Sequence, residues 1–207
     1  ITLLGTGTSS GVPVLTCRCP VCTSLDYRDK RLRVSIHIAV QGKSFVVDTG
    51  PDFRQQALRE RIDHLDAIIF THEHKDHTAG LDDVRPYNYL HGIKEMAIYA
   101  HPRVLAQLKR EYHYAFEENK YPGVPLLQTI EIDTEPFAIE GVVFTPIRVM
   151  HHRLPVLGFR IGNFTYITDA NFISDEELEK AKGSDVLILN ALQHTPHISH
   201  FTLSEAI

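Results

Sequence analysis

The segment Thr71-His72-Glu73-His74-Lys75-Asp76-His77 directly follows the apolar run Ala67-Ile68-Ile69-Phe70. Three histidines and an aspartate therefore fall within six residues, at the end of what the unbroken apolar run predicts to be a buried strand. Alternate side chains leaving a strand end point to the same side, so His72, His74, Asp76 and His77 can converge on one or two cations. Imidazole nitrogen and carboxylate oxygen both suit zinc, and a site that keeps an open position activates water. A His-x-His-x-Asp-His spacing is far more specific than a histidine pair, and a solvated polar loop is the poorer explanation. A hydrolase is the first expectation, on a fold whose sheet can carry such a loop.

At 207 residues the chain is long enough for one sizeable core, and a single domain spanning 1–207 is expected. Its 21 basic and 26 acidic residues leave a net charge of -5, which argues against broad electrostatic binding to nucleic acid and leaves room for a local basic pocket. No apolar stretch approaches the roughly 20 residues that span a bilayer. Eight of the thirteen histidines cluster, at 72, 74 and 77, at 151 and 152, and at 194, 197 and 200. The three cysteines all lie in Cys17-Arg18-Cys19-Pro20-Val21-Cys22. An odd count in so short a run is a poor disulfide framework, so reduced thiolates holding a metal, in the cytoplasm, fit better.

A short strand over Ile1–Leu4 leads into Gly5-Thr6-Gly7-Thr8-Ser9-Ser10-Gly11. A dinucleotide fingerprint would need a third glycine where Ser10 stands and a helix directly afterwards, so these glycines read as turn-formers beside the metal site. Ser35–Val40 and Ser44–Val47 flank Gln41-Gly42-Lys43 as a hairpin leading to Asp48-Thr49-Gly50. Helices are expected over 51–61, 78–90 and 102–112, and a strand over Ala97–Ala100. The stretch from His113 to Pro125 reads as an irregular insertion able to edge a pocket. Strand signals then recur at Gln128–Ile132, Phe137–Ile139, Val142–Val149, Leu157–Ile161 and Phe164–Thr168, with hairpin turns at Glu140-Gly141 and Gly162-Asn163. Ser174 and Glu177 form a capping box for a helix ending near Lys182, Val186–Asn190 reads as a further buried strand, and Thr202 and Glu205 form a second box. That second helix has barely one turn before Ile207, so a continuation of the natural protein beyond this fragment is expected. Strand runs punctuated by single helices in both halves predict two packed sheets with helices outside.

With Asp48-Thr49-Gly50, His72-x-His74-x-Asp76-His77, His151 after Met150, and Asp169 after Tyr166-Ile167-Thr168 in order at predicted strand ends, the chain resembles the metallo-β-lactamase-fold hydrolases over essentially its whole length. The resemblance implies an α/β (α+β) class and a four-layer αββα sandwich. It also implies that His72, His74 and His151 hold one metal, Asp76 and His77 the other, and that Asp169 bridges both. The family's last metal-binding histidine lies near the C-terminus, and no residue here fills that role, in keeping with the expected truncation. Asp169 stands where antibiotic-degrading members usually place a cysteine or histidine at the second metal, so β-lactamase activity is not expected. Cys17-x-Cys19-x-x-Cys22 looks like the structural zinc site of the PhnP-like cyclic phosphodiesterases, a branch related to ribonuclease Z. Three thiolates leave one tetrahedral position, which that branch fills with a histidine near the C-terminus. Pro196-His197-Ile198-Ser199-His200-Phe201-Thr202-Leu203 is the third point of similarity, because phosphodiesterase members carry a histidine at the position of His200, close to the scissile phosphate.

What the resemblance implies is a metal-dependent phosphodiesterase that attacks a small phosphodiester, cyclic ones included, with a metal-bridging hydroxide. Asp76 would orient the nucleophile, and His200 would donate a proton to the leaving oxygen or bind the equatorial oxygens. His152, Arg85, His194 and His197 are candidates for substrate contacts. The cofactors would be two divalent ions, zinc or manganese, with one structural zinc at the cysteines; the ligand types also admit iron. A small phosphodiester is the expected partner, with no stable nucleic-acid complex and no membrane, and a homodimer is compatible. Two alternatives stand beside this: a lactone or thioester hydrolase on the same scaffold, and a PqqB-like metal-binding accessory protein without catalysis.

Overall fold

The computed structural model describes residues 1–90 and 92–207. The chain forms two compact units, Ile1–Glu131 and Ile132–Ile207, each built on one sheet. The expected α/β class with two sheets is borne out.

The first unit runs β1 (Thr2–Gly5), α1 (Pro20–Thr23), β2 (Ser35–Val40), β3 (Lys43–Val47), α2 (Phe53–Glu60), β4 (Ala67–Ile69), α3 (Lys75–Thr78), α4 (Arg85–Tyr89), β5 (Met96–Ala100), α5 (Pro102–Glu111) and β6 (Leu127–Glu131). Its sheet has the order β1-β2-β3-β4-β5-β6. β1, β2 and β3 pair antiparallel, and β3 through β6 are parallel. The hairpin between β2 and β3 turns at Gln41 and Gly42, with φ of 51° and 75°, the double left-handed turn that matches strand twist. Because β3 to β6 run the same way, their C-terminal ends share one sheet edge, the usual place for a site in such a sheet. Asp48, the histidine loop and His101 all emerge there. Phe53, Ile68, Phe70, Ile98, Val104, Leu105 and Leu108 pack into one buried cluster. Burial contributes about 1.5–3 kcal/mol for each such side chain, so the sheet edge rests on a firm base.

The helix expected over 78–90 is not continuous. The chain makes α3, a 3₁₀ turn over Leu81–Val84, and then α4. The Gly80 N–H bonds the Thr49 carbonyl at 2.8 Å instead of a helical partner, and a Cβ on Gly80 would lie 2.1 Å from the Gly50 carbonyl oxygen. A tertiary contact has overridden helical propensity there. The helix expected from Pro51 starts at Phe53, since the Asp52 carboxylate is engaged by Arg33 rather than by its own helix.

The second unit runs β7 (Phe137–Ile139), β8 (Val142–His151), β9 (Leu154–Ile161), β10 (Phe164–Ile167), β11 (Phe172–Ile173), α6 (Asp175–Ala181), β12 (Val186–Leu189) and α7 (Leu203–Ala206). Its sheet has the order β11-β8-β9-β10-β12, with β7 paired to β8. β8 and β10 are each antiparallel to β9, so both end at the same edge and deliver His151 and Asp169 there. The strand expected to be buried over 186–190 is an edge strand, with Val186 53% and Leu187 48% exposed. A continuous apolar run does not tell whether both faces of a strand are covered. The box at Thr202 and Glu205 is complete. At α6 only half forms: Ser174 accepts from the Glu177 N–H, but the Glu177 carboxylate accepts from the Arg148 N–H at 2.8 Å and pairs with Lys180.

Candidate metal centre

The histidine loop is laid down on Asp48. Fully buried and held at φ 65°, Asp48 accepts from the Thr71 N–H at 2.9 Å, from the Thr71 hydroxyl at 2.7 Å and from His77 Nδ1 at 2.7 Å. A non-glycine residue with positive φ costs on the order of 1–3 kcal/mol, and three bonds to one carboxylate offset that cost. Gly50, two residues on, lets the loop pass over it: a Cβ there would be 2.0 Å from the Asp76 carbonyl oxygen.

This network fixes which ring nitrogens face inward. The Thr71 hydroxyl gives its proton to Asp48, so its oxygen accepts from His72 Nδ1 at 3.0 Å, and the His72 ligand atom is Nε2. His77 donates Nδ1–H to Asp48, which likewise makes Nε2 its ligand atom, 3.4 Å from an Asp76 carboxylate oxygen. Both rings are buried, and His72 Nε2 lies 3.0 Å from His74 Nδ1. Two nitrogens on one tetrahedral zinc sit about 3.3 Å apart, so both pairs have the separation of co-ligands. A carboxylate behind a ligating histidine is the usual outer support of a metal site. The donor set fits a divalent cation.

The second unit carries a smaller cluster of the same kind. His151 donates Nδ1–H to the Ser199 carbonyl at 2.8 Å, so Nε2 is again the ligand atom. A ring nitrogen of His151 and a carboxylate oxygen of Asp169 lie within 4.8 Å of each other. Asp169 has φ 51° and accepts from the Thr168 hydroxyl at 3.0 Å. Its loop is held through Ala170, whose N–H and carbonyl both bond the Asn190 amide and whose carbonyl also accepts from Phe201 N–H at 2.7 Å. The ring of His200 stands 4.6 Å from that of His151, and His197 stands 5.1 Å from His200.

The structure thus groups His72, His74, Asp76 and His77 in one unit, and His151 with Asp169 and His200 in the other. Of the substrate-contact candidates, Arg85 is ion-paired to Asp82 at 2.7 Å, and His152 is held by its N–H to Asn171. Thr71, Ser199 and Asn190 escaped sequence reasoning. Each abuts an expected ligand or ends a strand beside one, and that adjacency was the available signal.

Cys17, Cys19 and Cys22 bring their sulfurs within 4.8 Å of one another, and none is in a disulfide. Cys19 Sγ accepts from the Cys22 N–H and Cys22 Sγ from the Val14 N–H, each at 3.4 Å. The Cys22 N–H, with the neighbouring Cys17 and Cys22 thiols, holds the Cys19 thiol down to about 7. For Cys22 the Val14 N–H pulls downward, but desolvation and the adjacent thiols outweigh it and the thiol is raised. Among the described residues no helix is long and apolar enough to cross a membrane.

Comparison with known proteins supplies the context for these clusters. Residues 43–207 match the Beta-lactamase superfamily domain. The chain is 46% identical over 208 residues to an octanoyltransferase of Porphyromonas gingivalis, covering 99% of this chain and 42% of that protein. It is 32% identical over 111 residues to the coenzyme PQQ synthesis protein B of Methylobacterium radiotolerans, covering 45% of this chain and 37% of that protein. The chain thus spans less than half the length of these two curated relatives. Among solved structures, a diphosphatase of the PhnP family superposes with a TM-score of 0.91 at 39% identity, covering 99% of this chain and 79% of that one.

Proposed function

Because the chain belongs to the beta-lactamase superfamily, we propose that it is a metal-dependent hydrolase of the PhnP-like branch, cleaving a small phosphodiester. The observation that carries this reading is the locked orientation of three histidines. His72, His77 and His151 each tie Nδ1 to an acceptor and keep Nε2 as the ligand atom, beside the carboxylates of Asp76 and Asp169. In this reading His72, His74 and His151 would hold one divalent cation, Asp76 and His77 would hold a second, and Asp169 would serve both. The chemistry such cations would supply is a lowered pKa for bound water and neutralisation of charge on a phosphoryl oxygen.

The chain's own residues have the remaining work. Asp76 accepts a hydrogen bond from the attacking water through a carboxylate oxygen and so aims it. His200 passes a ring-nitrogen proton to the leaving oxygen, a role supported by its place against His151. Cys17, Cys19 and Cys22 hold a structural zinc, supported by their converging sulfurs and the lowered Cys19 thiol. Three unpaired thiols also favour the cytoplasm.

A second reading, a diphosphatase, is favoured by the PhnP-family structure of that name. It uses the same residues on a phosphoric anhydride. The octanoyltransferase name belongs to a protein of which this chain spans 42%. The chain's three cysteines bring their sulfurs within 4.8 Å of one another.

The test is a hydrolysis panel on the metal-loaded chain: 2′,3′-cyclic nucleotides, ribose 1,2-cyclic phosphate, bis(p-nitrophenyl) phosphate, a nucleoside diphosphate and a lactone. Turnover of a diester that disappears in Asp169→Ala supports the reading. Cleavage of the anhydride alone moves the assignment to the diphosphatase, lactone cleavage alone to a carbonyl hydrolase, and metal binding without turnover to an accessory protein.

A further inference from the structure

The histidine loop alternates, and its second set of side chains has a partner of its own. His72 and His74 lie on one side of an extended stretch and Glu73 on the other, where its carboxylate meets Arg103 Nε at 2.9 Å. Lys75, the first residue of α3, reaches the Glu111 carboxylate at 2.7 Å. Tyr112 donates its hydroxyl to the Thr78 carbonyl at 2.8 Å. Helix α5 and the residue after it therefore grip the loop at three points in order, at 73, 75 and 78. Arg103 and Glu111 are eight residues apart, about 12 Å along a helix, so the grips span the whole ligand run.

The signs of the charges show what these residues are not for. A helix favours acidic side chains in its first turn and basic ones in its last, by about 0.3–1 kcal/mol each. α5 carries Arg103 in its first turn and Glu111 as its last residue, both against its own dipole. Residues that oppose local preference and find complementary charges elsewhere are explained by the contact they make. The acid-to-base pair at one end and the base-to-acid pair at the other also reject a shifted register, which would put like charges together.

We infer that Arg103 and Glu111 are positioning residues that set how tightly the histidine loop binds its cations, by fixing the register of residues 72–78 on α5. The inference rests on the metal reading above. Each acts through the neighbour of a ligand, Arg103 through Glu73 between His72 and His74, and Glu111 through Lys75 between His74 and Asp76. Loss of such outer supports typically weakens metal binding 10- to 100-fold.

The experiment uses the full chain with cobalt(II) as the probe. Cobalt at the cysteines is marked by thiolate charge-transfer bands in the near ultraviolet, so visible absorption that grows without those bands reports nitrogen and oxygen ligation. Competition with a chelator gives the dissociation constant. Arg103→Met and Glu73→Gln are each expected to raise that constant 10- to 100-fold and shift the visible band, and the double variant to be no worse than the weaker single. Arg103→Lys, which keeps the charge, is expected to recover most of the affinity. Folded variants that bind cobalt as tightly as the parent, with an unchanged spectrum, overturn the clamp. Should Arg103→Met fail to fold, Glu73→Gln decides alone, since it leaves α5 intact. A parent chain that takes up no cobalt in the visible bands overturns the metal reading and the clamp together. Parent binding with no difference among variants removes the clamp alone.

Discussion

The histidine loop and the cysteine loop are both short clusters of metal-binding residue types in the first unit, and they are built in opposite ways. The first is walled in: His72 and His77 are wholly buried, and their Nδ1 atoms are committed to Thr71 and Asp48. The second stands in solvent, with Cys17 and Cys19 exposed and Leu15 and Leu25 beside them 88% and 100% exposed. Its sulfurs accept two long N–H bonds and otherwise face each other. Tight packing preorganises a site whose geometry must suit a reaction, whereas a structural ion can itself supply the order of the loop that binds it.

If that contrast holds, stability in the presence of a chelator separates the two loops, and four substitutions grade it. The largest effect is expected for Asp48→Ala. It strands the Thr71 N–H, the Thr71 hydroxyl and the His77 ring N–H, at about 1–3 kcal/mol for each buried orphan, and a urea titration should lose about 3–5 kcal/mol. A loss below 1 kcal/mol would mean the histidine loop is not pre-formed. Gly50→Ala comes next, at about 2–3 kcal/mol, because its Cβ would press on the Asp76 carbonyl from 2.0 Å. It should also weaken metal binding, and wild-type affinity in that variant would break the link between the Asp48 turn and the loop.

Tyr112→Phe deletes the bond to the Thr78 carbonyl and should cost about 1 kcal/mol. The same residue gives a pH test. Burial pushes the Tyr112 hydroxyl up to about 12, and that of Tyr87 likewise. A raised acid keeps its proton in the folded chain after the unfolded chain has lost it. Its stabilisation is therefore complete below about pH 10 and disappears as pH climbs to about 12. Thermal melts should fall across that window, and less steeply in Tyr112→Phe; an identical slope would deny Tyr112 its part. The smallest effect belongs to Cys19→Ser: within about 0.5 kcal/mol in chelator, but with one zinc per chain lost and a lower melting temperature when zinc is supplied. A metal count unchanged by Cys19→Ser would remove the structural zinc.

Much of this was legible in sequence, for physical reasons that also mark the limit. The β2–β3 hairpin could be read because Gln41-Gly42 supplies the left-handed turn locally, and α5 because Pro102 and a helical apolar stripe define it. The candidate ligand residues stand out in the sequence because metal chemistry favours few side chains, gathered here at strand ends. What could not be read depends on contacts distant in sequence. Gly80 breaks the expected helix only because Gly50 lies against it. The Val186–Leu189 run looks the same buried or at a sheet edge. The roles of Asp48 and Thr71 are hydrogen bonds across 23 and 29 residues of chain. Arg103 and Glu111 left one faint trace, a pair of charges set against their own helix dipole.

The proposed function requires His151 and Asp169 to ligate the same cations as the histidine loop, and anomalous diffraction at the zinc edge from zinc-loaded crystals tests that most directly. Two peaks are expected at the histidine loop, one bonded to His72, His74 and His151, the other to Asp76 and His77, and both to Asp169. Peaks bonded by residues of one unit alone, with His151 and Asp169 left without zinc, would contradict a shared centre.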